Sequence, residues 1–291
     1  KKILLINAES ISEIREISRL ANSKKKKVKI GVRLNPNTDA NTLSQISTGK
    51  KENKFGVNNK TLIEIINFCK IAKNIDLKCL SVHIGSQILN HKPYEKMLAV
   101  ISKIINKIDH KFEFIDLGGG MGISYNENNK KLNYKKYNLA IKKFLKKHNS
   151  KIIFEPGRSI VGNIGTLISK VIYIKSSGIR KFVILDTAMN DFMRPALYGA
   201  THKMLPSIKK KKISKKVYEF VGPICESTDK FNTLKRFQEL NEKDLVVICD
   251  VGAYGMSLSS NYNLRTKPVE LLIKGSKIKV IKKRQKLKEL I

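Results

Sequence analysis

The sequence has 291 residues, of which 41% are hydrophobic, and a formal net charge of +34. This length and composition allow one large domain or two ordinary ones with a sizeable core, and exclude a disordered protein and a small disulfide-stapled scaffold. Its lysines are scattered along the whole chain and its apolar runs are far shorter than the roughly 20 residues of a membrane helix, so we expect a soluble protein with no specific nucleic-acid partner and no membrane partner.

Strand and helix patterns alternate through the first half of the chain. The first helix follows a capping-box pattern, Ser10-Ile-Ser-Glu13, and carries Ile11, Ile14, Ile17 and Leu20 on one face. Five strands separated by helices predict a parallel sheet, either open or closed into a barrel. The predicted strands are Lys2–Ala8, Val28–Leu34, Leu80–Ile84, Phe112–Leu117 and Lys151–Phe154, and the later predicted helices are Thr61–Ala72, Tyr94–Ile108 and one within Tyr137–Lys147.

The hydrophobic pattern of the sequence changes after Gly157. Strand-like apolar runs recur between turn residues, and patterns typical of amphipathic helices become rare. This pattern predicts a second, mostly β domain, and we divide the chain into residues 1–160 and 161–291. The runs in the second part are Thr166–Ile174, Lys181–Leu185, Lys216–Val221, Leu245–Cys249, Val269–Ile273 and Lys277–Ile281.

A glycine cluster follows the fourth predicted strand in the segment "IDLGGGMGI", residues 115–123. Glycine lets backbone N–H groups converge on an anion, and phosphate is the usual ligand of such a cluster. The segment lacks the spacing of a dinucleotide-binding motif and the Gly-Lys-Ser/Thr of a P-loop, so neither fold is indicated. A tight turn between a strand and a helix explains the glycines almost equally well.

Further polar motifs stand at the ends of other predicted strands or in later loops. "HIGSQ" begins at His83 and "EPGR" at Glu155, and in a barrel the ends of all strands lie on one face. "DFMRPALY", "GPICESTD" and "GAYG" begin at Asp191, Gly222 and Gly252. Each motif also has an ordinary structural explanation, such as a core histidine, a proline turn, a surface arginine or a buried thiol.

The four cysteines, Cys69, Cys79, Cys225 and Cys249, show no spacing typical of a metal site. We therefore expect reduced thiols in a cytoplasmic protein and no bound metal.

Taken in order, "HIGSQ", "DLGGGMGI", "EPGR", "MNDFMRPALYGA", "GPICESTD" and "GAYG" closely resemble the diaminopimelate decarboxylases, which are pyridoxal-phosphate (PLP) enzymes of the alanine-racemase-like fold. The segment Asn35–Gly56 fits the same family, and the resemblance runs from about Asn7 to the C-terminus. It implies a (β/α)8 TIM-like barrel, of which about strands four to eight are present, followed by a C-terminal mostly β domain. It also implies a homodimer with active sites shared at the subunit interface.

The resemblance assigns cofactor-binding roles to residues at these strand ends. PLP serves as an electron sink when carbon dioxide leaves an amino acid. Glu155 would hold a proton on the pyridine nitrogen and His83 would lie flat against the ring. The phosphate would be held by Ser86, Gly118, Gly119, Gly120, Gly157 and Tyr254, and Pro156 and Arg158 complete the cofactor-binding set.

The resemblance also implies a substrate, meso-2,6-diaminopimelate, and a product, L-lysine. Arg158, Arg194 and Tyr198 would bind its distal carboxylate, because the planar guanidinium pairs with a carboxylate in bidentate fashion. Tyr254 is a further substrate-binding residue. Cys225 and Glu226 would reach in from the other subunit, with Cys225 as the proton donor to Cα and Glu226 binding the distal ammonium.

One part of the family pattern is missing, namely the lysine that carries PLP in a Y-A-x-K-A-like segment of the first barrel strand. We therefore expect the sequence to be a piece of a longer protein, and a short non-catalytic relative that binds a partner is the alternative. A basic nucleic-acid-binding protein and a PLP decarboxylase of another amino acid or polyamine precursor also stay open. "RPALYGA" together with Glu226 after Cys225 disfavours the last of these, because the related ornithine enzymes carry an Asp there.

Overall fold

The computed structural model describes residues 3–40, 48–49, 54–125 and 130–291. The chain forms two compact units. The α/β unit comprises Lys1–Ile123 and Lys130–Ser159, and the β unit comprises Ser124–Asn129 and Ile160–Ile291. Within the segment Asn35–Gly56, which resembles the family, residues 41–47 and 50–53 lie outside the described residues.

The α/β unit is built on a sheet of five parallel strands arranged in sequence order. A helix connects each strand to the next, and this is the arrangement of consecutive strands in a (β/α) barrel. The predicted α/β class is confirmed. The strands are Ile6–Ala8 (β1), Val28–Arg33 (β2), Ile75–Ser81 (β3), Phe114–Asp116 (β4) and Lys151–Ile153 (β5), and the helices are Ile11–Ser23 (α1), Asn59–Ile71 (α2), Lys92–Ile105 (α3) and Tyr134–Leu145 (α4).

Local sequence signals account for where these helices begin. Ser10 is the N-cap of α1, and its hydroxyl accepts the Glu13 N–H at 3.1 Å. The Glu13 carboxylate in turn accepts the N–H of Glu9, the residue before the cap, at 2.7 Å, so side chains satisfy two backbone donors at the start of the helix. Asn58 and Asn133 cap α2 and α4 in the same way.

The third strand differs from its prediction. Leu80–Ile84 was predicted, but β3 spans Ile75–Ser81. The polar residues Asp76 and Lys78 alternate with buried Ile75, Leu77 and Cys79, so the strand begins well before its continuous apolar run. As a consequence His83 lies in the loop after the strand rather than within it.

The β unit contains a six-stranded sheet and a separate hairpin, which confirms the predicted mostly β character. Two strands were not predicted, because one has only three residues and the other, "KFNTL", is largely polar. There are also two short α-helices, Arg158–Val161 (α5), which begins at the end of the α/β unit, and Arg194–Tyr198 (α6). The strands are Leu167–Ser177 (β6), Arg180–Leu185 (β7), Met204–Pro206 (β8), Val217–Val221 (β9), Lys230–Leu234 (β10), Leu245–Ile248 (β11), Glu270–Lys274 (β12) and Lys277–Lys282 (β13).

Each unit buries its own hydrophobic core. In the α/β unit the core lies between the sheet and the helices and includes fully buried Leu62, Leu80 and Tyr94. In the β unit it includes Tyr218 and Phe220 of β9. Among the described residues, no helix has both the length and the apolar character needed to cross a membrane.

Candidate cofactor and substrate site

Three neighbouring strand ends meet in the α/β unit. His83 follows β3, the glycine cluster follows β4 and Glu155 follows β5, so all three lie at the carboxyl edge of the sheet. The Gly119 N–H donates to His83 Nδ1 at 3.2 Å. The Glu155 N–H donates to the Gly118 carbonyl at 2.9 Å. Residues that are far apart in sequence are thus brought together, as the strand-end motifs predicted.

The glycines are required by close packing between these loops. A Cβ on Gly118 would stand 2.6 Å from His83 Nδ1, and one on Gly119 would stand 2.3 Å from the Glu155 carbonyl oxygen. A Cβ on Gly120 would stand 2.3 Å from the Gly85 carbonyl oxygen, and the φ angle of Gly120 is +89°. Any side chain here would collide with backbone or with the histidine. The bare backbone therefore serves the packing of the strand ends.

Two of the three glycine amides already have protein acceptors. The Gly118 N–H donates to Asp116 Oδ1 at 2.9 Å, and the Gly119 N–H is taken by His83. Among the described residues, the Gly120 N–H has no acceptor. All three glycine amides were expected to bind a phosphate. In the described part of the chain, only the Gly120 amide is left to do so.

Asp116, the last residue of β4, organises this edge of the sheet. It is 1% exposed. Besides the Gly118 N–H, it accepts the Asn7 side-chain amide at 2.9 Å and the Ser81 hydroxyl at 3.3 Å. Asp116 is not among the site residues predicted from the sequence. Its position at a strand end, directly before a glycine cluster, is the sequence signal that could have identified it as part of the site.

The two ionisable residues of the cluster have shifted pKa values. Partial burial, and then the nearby Asp116 carboxylate, raise the pKa of Glu155. Burial, and then the Arg33 charge, lower the pKa of His83 to about 4. His83 is therefore neutral near pH 7. Because its Nδ1 accepts the Gly119 N–H, the ring proton is on Nε2.

Pro156 and Gly157 follow β5, and Arg158, the first residue of α5, contacts the loop after β3. Arg158 is 6% exposed, and its Nη2 donates to the Ser86 hydroxyl at 3.1 Å. A Cβ on Gly157 would meet nothing within 4 Å. The packing of the protein therefore does not require glycine at 157, in contrast to the three glycines after β4. The space over Gly157 is open to a ligand.

These observations fit PLP. A neutral, half-buried imidazole provides a surface for an aromatic ring, and an adjacent carboxylate suits a protonated ring nitrogen. The free amide of Gly120, the Ser86 hydroxyl and the open space at Gly157 suit a phosphate.

The β unit carries the remaining predicted residues on separate segments. Arg194 and Tyr198 are four residues apart on α6, so they face the same side of one helical turn. Gly199, with a φ angle of +60°, ends this helix in the left-handed conformation that glycine adopts readily. Arg194 is 6% exposed. Tyr254 lies in the loop after β11, is 45% exposed and has a φ angle of +57°.

The loop after β9 presents Cys225 and Glu226 to solvent. Buried Asp229 shapes this loop, because its carboxylate accepts the Ile224 N–H at 2.8 Å and the Met189 N–H at 2.7 Å. A Cβ on Gly222 would stand 2.2 Å from an Asp229 carboxylate oxygen. The "GPICESTD" motif is therefore a closed turn around Asp229 that holds the thiol and the acid outward.

Glu226 has partners that the sequence did not reveal. The Tyr262 hydroxyl donates to one of its carboxylate oxygens, and the Thr228 hydroxyl donates to the other at 3.1 Å. The hydrogen bond to Glu226 raises the pKa of Tyr262. No sequence signal joins residues 226 and 262, because the contact depends on the tertiary fold.

Comparison with known proteins defines the class of this protein. Residues 1–162, more than half of the chain, match the family model described as "Pyridoxal-dependent decarboxylase, pyridoxal binding domain". The chain is thus a pyridoxal-dependent decarboxylase by family, and the implied PLP cofactor is confirmed at that level.

The more particular family follows from its relatives. The chain is 41% identical to a diaminopimelate decarboxylase of Helicobacter pylori, over 99% of this chain and 72% of that protein. It is 34% identical to a diaminopimelate decarboxylase of Aquifex aeolicus (strain VF5), over 98% of this chain and 68% of that protein. The chain belongs to the diaminopimelate decarboxylase family.

Solved structures give the same result. The crystal structure of diaminopimelate decarboxylase from Helicobacter pylori complexed with L-lysine matches with a TM-score of 0.93 and 40% identity, covering 99% of this chain and 72% of that one. The crystal structure of diaminopimelate decarboxylase from m. jannaschii in co-complex with L-lysine matches with a TM-score of 0.89 and 31% identity, covering 99% of this chain and 68% of that one. The predicted barrel-type fold with a C-terminal β domain is confirmed.

Proposed function

We propose that this protein decarboxylates meso-2,6-diaminopimelate to L-lysine and carbon dioxide, the last step of lysine biosynthesis. The observation that carries the proposal is the meeting of His83, the glycine cluster and Glu155 at one edge of the α/β unit. The similarity of this chain to diaminopimelate decarboxylases over 99% of its length supports the choice of substrate. Residues 1–160 would supply most cofactor contacts and residues 161–291 most substrate contacts.

When bound, PLP accepts the electron pair that remains at Cα after carbon dioxide departs. Glu155 would hold a proton at the pyridine nitrogen, and a cation there would favour the ionised form of this carboxyl, whose pKa is otherwise raised. His83 would lie against the ring as a neutral imidazole. The Gly120 amide, Ser86, the backbone at Gly157 and Tyr254 would bind the phosphate.

The arginines would orient the substrate. Arg194, together with Tyr198 on the same helical turn, would bind the distal carboxylate, and Tyr254 would contribute from its loop. Arg158 is already bonded to Ser86, so it would bridge the cofactor and the substrate carboxylate. Glu226, held by Tyr262 and Thr228, would bind the distal ammonium.

Cys225 would deliver the proton to Cα after carbon dioxide leaves. Its exposure, and that of Glu226, suits a loop that enters the active site of a second subunit, so we propose a homodimer with shared sites. The four free cysteines suit a reducing, cytoplasmic compartment. We propose neither a nucleic-acid nor a membrane partner, because the lysines are scattered through the sequence.

Release of carbon dioxide by the full-length protein supplied with PLP tests this function. We expect turnover of meso-diaminopimelate and little or none of lysine, ornithine or carboxynorspermidine. The Cys225→Ser variant should lose about a hundredfold or more in kcat, as expected for a general acid. Cys69→Ser is the matched control, because that thiol lies on α2. Failure to turn over meso-diaminopimelate, with PLP bound, would refute the assignment.

A further inference from the structure

A buried histidine that has no role in the proposed chemistry lies beside Arg194. His202 is 1% exposed. Its Nε2 is 2.8 Å from Arg194 Nη1, and its Nδ1 is 2.9 Å from the Cys249 carbonyl oxygen. The imidazole therefore bridges the backbone after β11 to the guanidinium on α6.

The two partners fix which ring nitrogen carries the proton. A carbonyl oxygen only accepts hydrogen bonds, so Nδ1 must donate to Cys249. A guanidinium only donates, so Nε2 must accept from Arg194. The neutral imidazole with its proton on Nδ1 satisfies both contacts at once, and the cationic form cannot accept from the arginine.

Aromatic rings hold the same pair from the sides. Phe192 packs edge-on against His202, with ring centroids 4.7 Å apart. Tyr125 packs edge-on against His202 at 4.8 Å, and the Arg194 guanidinium carbon lies 4.4 Å from the centre of the Tyr125 ring. One face of the guanidinium is thus covered by a ring, and one of its edges is bonded to the imidazole.

We propose that His202 is a positioning residue that aligns the Arg194 guanidinium for a carboxylate ligand. Because Nη1 is bonded to His202 and one face is covered by Tyr125, the plane of the guanidinium is held in a fixed orientation. Bidentate pairing with a carboxylate depends on that orientation. His202 thereby sets the preference for ligands with a distal carboxylate. This inference rests on the proposed role of Arg194 in substrate binding.

The test uses two ligands that differ by one carboxylate, L-lysine and 1,5-diaminopentane, with the full-length PLP-loaded protein. His202→Phe keeps a ring but removes the acceptor, and His202→Asn is too short to span both partners. We expect each variant to bind L-lysine about tenfold more weakly by calorimetry and 1,5-diaminopentane unchanged. His202→Gln, whose carbonyl oxygen can accept from Arg194, should recover most of the L-lysine affinity.

Phe192→Leu is the matched control, because it removes packing against the same imidazole and leaves the acceptor in place. It should not separate the two ligands. Equal losses for both ligands in the His202 variants would overturn the proposal, and so would an unchanged L-lysine affinity in a folded variant. Arg194→Lys tests the underlying function separately. If that change leaves L-lysine binding intact, the substrate role of Arg194 is wrong, whatever His202 does.

Discussion

The strand-end cluster of the α/β unit and the loops of the β unit are built in different ways. Around Gly118–Gly120, backbone and side chains interlock so closely that an added Cβ would lie 2.3 to 2.6 Å from its neighbours. Cys225 and Glu226, by contrast, stand exposed on a turn held from behind by Asp229. The proposed cofactor site at the strand ends is thus held in shape by packing, whereas the chemistry proposed for Cys225 and Glu226 requires a further element that excludes water from them.

The largest loss of stability should come from adding a side chain within the strand-end cluster. Gly120→Ala would place a Cβ 2.3 Å from the Gly85 carbonyl oxygen at a φ angle of +89°, so crowding and backbone strain add. We expect the free energy of unfolding, from urea titration followed by circular dichroism, to fall by about 4 kcal/mol.

Gly157→Ala is the matched control, since a Cβ there meets nothing within 4 Å. It should change stability by less than about 0.5 kcal/mol. Similar losses for the two variants would mean that packing does not distinguish these glycines.

The next largest effect concerns pH. The pKa of His83 is lowered to about 4 in the folded protein, against about 6.5 in an unfolded chain. The unfolded state therefore binds more protons between these values, so stability is full above about pH 6.5 and is lost as the pH falls towards 4. Because of His83, the free energy of unfolding should fall by about 3 kcal/mol over this pH range.

Comparing urea titrations of the protein and of His83→Asn across this range isolates the histidine. Glu155 acts in the opposite direction, because its pKa is raised, and it stays in both proteins. A variant with the same pH dependence as the unchanged protein would show that His83 is not the source.

A smaller loss should follow Asp116→Asn. The amide places donors where the carboxylate accepted from Asn7 and Ser81, so we expect the free energy of unfolding to fall by about 2 kcal/mol. Removal of the negative charge should also lower the pKa of Glu155, which NMR titration of its carboxyl carbon would measure. An unchanged Glu155 pKa would show that burial alone raises it.

The smallest effect is expected in the exposed loop. Tyr262→Phe removes the hydroxyl that donates to Glu226, and exposed polar contacts contribute little to folding. The free energy of unfolding should therefore be nearly unchanged. A loss of stability as large as that of Asp116→Asn would show that the strand-end cluster and the exposed loops of the β unit do not differ in this respect.

The sequence predicted the features that depend on local patterns. The capping residues Ser10 and Glu13, the helix faces and the motifs at strand ends all follow from short-range signals, and the structure confirms the first helix and the parallel sheet. The start of β3 was missed because Asp76 and Lys78 alternate with apolar residues and so mask a buried strand.

The sequence could not separate two reasons for glycine. In the sequence, Gly118–Gly120 and Gly157 are all glycines that follow a strand. In the structure, neighbouring loops leave no room for a Cβ at the first three positions, whereas a Cβ at 157 meets nothing within 4 Å. His202 and Tyr262 were missed for a related reason. Their contacts to Arg194 and Glu226 are made by folding and leave no periodicity or motif.

The most direct test is a crystal structure of the full-length protein with PLP and L-lysine. We expect the phosphate on the Gly120 amide, Ser86 and Gly157, the pyridine nitrogen beside Glu155, and the lysine carboxylate on Arg194. A cofactor bound away from the edge formed by His83, Gly120 and Glu155 would contradict the account.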